Sequence, residues 1–195
     1  MNFKEDNTMS IFDKLKKNVQ TAVKITAASA AAHSETFTFS TLPESLTEMQ
    51  NLPEATLSSP FQTAALTVCA LCAYAADRAV GTEMLNFLRG PRPLSNMDIS
   101  FLNDRFADGH HVPFSYFKGA VPKNDYTPDV PFILTVETNP YSDANEGYKK
   151  LFIKSGGADT PREVLLRKAG DGKWYLWDQF LTVGIRKAGS EDPWA

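Results

Sequence analysis

With 195 residues, 43% of them apolar or aromatic, the chain is long enough for one well-cored domain plus an appendage but not for two full domains. A net charge of −3 and a pI near 5.6 exclude generic nucleic-acid binding through a broadly basic face, leaving room only for a local basic patch. Cys69 and Cys72 are too few for a disulfide framework, and no apolar leader with a small-residue cleavage site is visible, so a cytoplasmic setting is expected.

Residues 1–33 read as a polar, frayed start followed by a basic amphipathic helix from Ser10 to about Ala32. On a helical wheel Ile11, Phe12, Leu15, Val19 and Val23 fall in one arc, while Lys14, Lys17 and Lys24 point elsewhere. Such a stripe suits a membrane surface, a partner or self-association, or packing on its own domain. Residues 34–59 read as an acidic linker rich in Ser, Thr and Pro, carrying Glu35, Glu44, Glu48 and Glu54 without a single Lys or Arg. Within it, Ser45 and Glu48 have capping-box spacing and predict a turn or two of helix as far as Asn51.

The globular domain is expected over residues 60–195. Ser59, Pro60 and Gln62 mark a strong helix start, and Pro60 to Ala76 is apolar nearly all round, which predicts a central buried helix. It is shorter than the roughly 20 residues needed to span a bilayer. A short helix is predicted from Thr82 to Arg89, stopped by Gly90 and Pro91. Another runs from Asn96 to about Ala107, capped by Ser95 and Asp98. From His110 to Pro131 prolines and aromatics dominate, as in a packed covering loop.

Four strands are predicted next: Phe132 to Thr138, Tyr148 to Ser155, Arg162 to Lys168, and Lys173 to Leu181. Their short links favour an antiparallel meander, and helices followed by a meander define an α+β fold. The last two strands flank Gly170-Asp171-Gly172, where Asp-Gly suggests a tight primed turn. Trp174 and Leu176 alternate with Tyr175 and Trp177, so both faces of the final strand carry large side chains and each face is expected to need a cover.

Chemistry-bearing residues are sparse. Cys69-x-x-Cys72 has redox or metal spacing but lies in mid-helix, which favours packing thiols. His110 and His111 suit a metal, acid–base work, or simple capping. Arg89-Gly90-Pro91-Arg92-Pro93 offers guanidiniums to an anion, or Arg92 pairs with an internal carboxylate such as Asp98 or Asp104. Ser155-Gly156-Gly157-Ala158-Asp159 lacks the ending of a phosphate loop and reads as a strand connection.

TAALTVCALCAY (Thr63 to Tyr74), FLRGPRPLS (Phe87 to Ser95), YFKGA (Tyr116 to Ala120), NPYS (Asn139 to Ser142), LFIKSGGADTPR (Leu151 to Arg162), KWYLW (Lys173 to Trp177) and the closing DPWA resemble a bacterial domain family of unknown function over roughly Ser40 to Ala195. That resemblance implies no activity or site residues. More loosely, the helices and a bent sheet ending in Gly-x-Trp-Tyr-Leu resemble the nuclear-transport-factor-like or cystatin-like arrangement, whose curved sheet can enclose a pocket.

The resulting expectation is a non-catalytic cytoplasmic binding or interaction module. Its N-terminal helix would reach a protein partner, a second copy or a membrane surface, and its aromatic loop would form a contact face. Arg89, Arg92, Tyr116, Tyr126, Tyr175 and Trp177 are the ligand-binding candidates; no cofactor, metal or nucleic acid is expected. The rival is an enzyme with a pocket between sheet and loop, in which His110 or His111 serves as base, Tyr116 donates a hydrogen bond and Arg92 holds an anionic substrate.

Overall fold

Ser59 begins the central helix as its local chemistry dictates. Its hydroxyl accepts from Phe61 N at 3.2 Å, the Gln62 side chain accepts from Ser59 N at 3.2 Å, and Pro60 occupies the first turn. The fold comes from a computed structural model that describes residues 33–107 and 109–192. The predicted helix from Ser10 to Ala32, with Ile11, Phe12, Leu15, Val19 and Val23, lies outside the described residues.

The elements are β1 (Ser34–Phe39), α1 (Leu46–Gln50), α2 (Pro60–Ala76), α3 (Arg78–Arg89), α4 (Asn96–Arg105), β2 (Phe132–Glu137), β3 (Tyr148–Ile153), β4 (Arg162–Lys168) and β5 (Trp174–Gln179). The class is α+β, with an antiparallel sheet in the order β1-β2-β3-β4-β5. The sheet therefore has five strands rather than four, because Ser34–Phe39, expected as linker, pairs along its whole length with β2. Period two explains the pairing: Phe37 and Phe39 are buried while Ser34, Thr36 and Thr38 are exposed. Ser45 caps α1 as its spacing indicates, accepting from Glu48 N at 3.2 Å.

Every residue of α2 from Thr63 to Tyr74 is buried. The helix lies on the sheet face built from Phe37, Leu134, Val136, Leu151, Ile153, Val164, Leu166 and Leu176, and its other sides meet α3 and the turn Val112–Tyr116. α3 starts earlier than expected, at Arg78, because the Asp77 carboxylate accepts from Ala79 N and Val80 N and restarts the helix one residue after α2 ends. α4 opens with the expected capping box: Ser95 Oγ accepts from Asp98 N, and Asp98 Oδ2 accepts from Ser95 N at 2.8 Å.

In the segment from His110 to Pro131, Tyr116 and Phe117 are buried in the core around α2, while Tyr126 is buried in a separate small cluster with Ala120 and Ala188. β2 and β3 pair only at Val136 with Ile153 and Glu137 with Phe152. Where they diverge, Lys118 N donates to Ile133 O at 2.8 Å and Gly156 N to Ser115 O at 2.8 Å, so the loop wedges into the gap.

The hairpin between β4 and β5 forms with a different turn from the primed one. Gly172 N donates to Ala169 O at 3.0 Å, and of the three loop residues only Gly172, with φ 84°, has a positive φ. This is a three-residue loop ending in a left-handed glycine. Further along, Leu166 pairs with Leu176 but Leu165 with Asp178, so Trp177 is the extra residue of a bulge. Among the described residues, no helix is long and apolar enough to cross a membrane.

The threonines that interrupt the apolar run of α2 have a structural task. Thr63 Oγ1 donates to Trp174 O at 2.6 Å, tying the helix to the outer edge of β5, and Thr67 Oγ1 donates to Thr63 O at 2.8 Å. Thr63→Val keeps the shape but leaves the Trp174 carbonyl without its donor. Urea unfolding should show a loss of about 1–3 kcal/mol, whereas an unchanged midpoint would mean that the bond contributes nothing.

A candidate basic and aromatic cleft

α3 ends in Arg89, and Gly90 follows with φ 56° and its N–H bonded to Asn86 O and Phe87 O. The chain then turns through Pro91 to Pro93 towards α4. Arg89 holds this turn from inside: it is only 6% exposed, and its Nε donates to Arg92 O at 3.0 Å. Its Nη2 lies 3.8 Å from Asp98 Oδ2. The internal carboxylate thus pairs with Arg89, not with Arg92 as the spacing suggested. Burial pulls the Arg89 pKa down; Asp98 opposes that shift, while the neighbouring Arg92 charge adds to it.

Arg92 instead turns outward onto the bulge of β5. Its guanidinium carbon lies 4.3 Å from the Trp177 ring centroid, and Nη1 donates to Trp177 O at 3.1 Å. A second guanidinium, from Arg167 on β4, sits 4.7 Å from the same ring and 5.4 Å from that of Tyr148. Tyr148 meets Trp177 edge to face at 5.6 Å. These contacts answer the expectation that both sheet faces need a covering layer. The helices cover one face; on the other, Trp177 is shielded by guanidiniums and by Tyr148, because cations over an aromatic ring satisfy it without a second core.

Tyr175 closes the third side. Its hydroxyl donates to Asp171 Oδ2 at 2.8 Å while Asp171 Oδ1 accepts from Lys173 N at 3.0 Å. The Tyr175 pKa is raised by its hydrogen bond to Asp171 and by burial. Its ring lies so close to Gly90 that an added Cβ there would collide with Tyr175 Cε1. Arg89, Arg92, Arg167, Lys168, Tyr175 and Trp177 line a cavity of about 360 Å³, and no carboxylate is among the described residues that line it. Among the described residues, Arg92, Arg167 and Lys168 contact aromatic rings rather than acidic partners.

Four of the six ligand-binding candidates therefore meet here: Arg89, Arg92, Tyr175 and Trp177. Arg167 and Lys168 were missed, although the hairpin register, Arg167 opposite Tyr175 and Lys168 opposite Trp174, carries the signal. Tyr116 and Tyr126 lie elsewhere. Tyr116 is buried with its hydroxyl donating to Leu181 O at 2.6 Å, and burial pushes its pKa up. Tyr126 donates to Arg186 O at 2.8 Å.

The acid–base set imagined for an enzyme is not assembled around one cavity. His110 Nδ1 donates to Ala75 O at 2.9 Å, capping the last turn of α2. His111 stacks on Tyr126 with centroids 5.0 Å apart, and its Nδ1 is 3.7 Å from Glu191 Oε2. Tyr116 spends its proton on Leu181, and Arg92 stands over Trp177. Cys69 and Cys72 are buried thiols whose pKa burial raises, which leaves them unreactive. Among the described residues, no group of three or more His, Cys, Asp or Glu side chains is placed to hold a metal ion.

Fold and site together define an α+β domain whose helices cover one sheet face and whose other face ends in a basic, aromatic cleft. The chain belongs to the family described as a domain of unknown function, DUF6935, which matches residues 41–189 and so spans every residue of the cleft. No curated protein and no solved structure matches the chain.

Two measurements test the construction of the cleft. Gly90→Ala forces an L-residue into a positive φ and drives its methyl into Tyr175, so unfolding should show a loss of at least about 1 kcal/mol; a neutral substitution would mean that Tyr175 does not rest there. Burial pushes the Asp98 carboxyl up, but bonds from Ser95 and the charges of Arg89 and Arg92 outweigh it and hold the pKa below the usual range. A depressed carboxylate contributes stability above its unfolded pKa and loses it as pH falls through the folded one. The stability deficit of Asp98→Asn should therefore be constant near neutrality and shrink below about pH 4; a deficit that does not change with pH would remove the carboxylate's charge from the account.

Proposed function

We propose that this domain is a non-catalytic binding module that recognises an acidic segment of a protein partner through the Arg92–Trp177–Arg167 cleft. The observation that carries the reading is the crowding of four cationic side chains around one cavity with no carboxylate among the described residues that line it. Like charges repel, as the effect of Arg92 on Arg89 illustrates, and an incoming carboxylate relieves that repulsion. Guanidiniums laid on an indole ring are already ordered and keep N–H edges for bidentate contact with an oxyanion, so less freedom is lost on binding.

Arg, Trp and Tyr together are also the residues that dominate binding energy at protein interfaces. The indole of Trp177 is already engaged by two guanidiniums and by Tyr148, which leaves it poorly placed to stack a nucleobase and supports a protein rather than a nucleic-acid partner. Two buried, unpaired cysteines agree with a reducing, cytoplasmic setting.

The test uses the full chain, with tryptophan fluorescence and calorimetry as readouts. The probes are a hexaglutamate peptide, its hexaglutamine counterpart and inorganic pyrophosphate. Hexaglutamate should bind saturably and hexaglutamine should not. Arg92→Ala and Arg167→Ala should each weaken binding by about tenfold or more, the loss of one charge-assisted contact, and Arg92→Lys should not restore it. Saturable binding of pyrophosphate without hexaglutamate would replace the peptide by a small anion. Binding of neither, or binding indifferent to both arginine substitutions, would overturn the reading.

A further inference from the structure

The sheet has two edges, and they are treated differently. At β5 three outward backbone groups are occupied: Trp174 N donates to Leu57 O at 2.9 Å, Thr63 Oγ1 donates to Trp174 O, and Arg92 Nη1 donates to Trp177 O. The bulge at Trp177 further interrupts this edge. Among the described residues, β1 has none of these devices.

Thr138 N donates to His33 O at 2.8 Å, which makes His33 and Thr138 a hydrogen-bonded pair. By alternation along the register, Glu35, Phe37 and Phe39 direct their backbone groups to β2, and Ser34, Thr36 and Thr38 direct theirs away from the sheet. All three of these residues are exposed, and no described residue bonds their outward N–H or C=O groups. Of the features that protect an edge strand, β1 contains no Pro, Lys or bulge, and Glu35 is its one charged residue.

We propose that β1 is a self-association edge, pairing antiparallel with β1 of a second copy to give one continuous ten-stranded sheet. An open edge is specific for an extended backbone, and the sequence of β1 favours its own copy. With Thr36 opposite Thr36 of the second copy, all three outward residues are used, Ser34 facing Thr38 on either side of the centre. The hydroxyl bond between Thr36 Oγ1 and Thr135 Oγ1, 2.9 Å, then continues into a row of threonines across the junction. Sliding the strands two residues towards their N-termini would set Glu35 directly opposite Glu35, which like-charge repulsion disfavours. The pairing is isologous and closes at two copies. It lies on the sheet edge opposite β5, so it stands independently of the anion cleft.

Disulfide trapping in the full chain tests the geometry directly. Directly opposed hydrogen-bonded residues have Cα atoms about 5.5 Å apart, inside the range of about 4.4–6.8 Å that a disulfide bridges. The native cysteines are buried and do not compete. Thr36→Cys should form a covalent dimer on mild oxidation several-fold faster than Lys173→Cys, an exposed position at the β4–β5 hairpin. By sedimentation, the unmodified chain should show a concentration-dependent dimer that Thr36→Val retains and Thr36→Lys abolishes, with far-UV circular dichroism confirming that each variant is folded. A monomer across the micromolar range, a dimer that persists in folded Thr36→Lys, or trapping no faster than the Lys173→Cys control would each overturn the proposal. Should Thr36→Lys fail to fold, the trapping rates decide.

Discussion

A helix that is apolar on all sides must be surrounded on all sides, and the burial of α2 from Thr63 to Tyr74 organises everything else in this domain. Each buried leucine or valine side chain contributes on the order of 1.5–3 kcal/mol, and α2 packs across β2 to β5 on the apolar face of the sheet, joined at β5 by α3. α3 and the turn Val112–Tyr116 fill its remaining sides. Two aromatics of the Pro-rich segment, Tyr116 and Phe117, join that packing, and Tyr126 is buried in a separate cluster with Ala120 and Ala188. With that apolar cover spent around α2, no second layer of described residues lies over the outer face of the sheet. Lys150 with Glu163 and Lys154 with Glu137 pair across part of that face, and the large rings at its β5 end are left to find another solution.

That solution is the guanidinium cluster. A cation over an aromatic face contributes about 0.5–2 kcal/mol, and the arginine stems hide apolar surface that would otherwise meet water. Mutual repulsion is the cost, and the paired, buried Arg89 anchors the turn that holds Arg92 in place. An arrangement that shields Trp177 thereby also concentrates positive charge beside it. Among the described residues one constraint, the lack of a second layer, accounts for both the shielding of the outer face and its chemical character.

Most of the scaffold was legible because its signals are local. Ser59-Pro60-x-Gln62 and Ser95-x-x-Asp98 place their helix starts to the residue, since capping depends only on neighbours in the chain. Period-two alternation located β2 to β5 within a residue or two. β1 was obscured by its surroundings: Ser34-Glu-Thr-Phe-Thr-Phe39 alternates cleanly, but it is isolated from the other strands by nearly a hundred residues and flanked by linker-like composition. Its partner is non-local, and local reasoning does not supply it. The same limit explains the site. Arg89 and Arg92 are visible as a pair, yet which of them meets Asp98 depends on the angle of the turn at Gly90. Arg167 joins them only through the hairpin register. The loop aromatics were misplaced because composition shows that they pack, not on which side.

An anion received in the cleft would be registered at single residues by nuclear magnetic resonance. In full-length protein with 15N label, the Arg92 and Arg167 Nε–H signals and the Trp177 indole N–H would be followed during titration with hexaglutamate. The account predicts saturable shifts at these three groups with a common midpoint, while the His110 and His111 ring signals stay still. Shifts concentrated on the histidines, or on residues far from Trp177, would contradict it.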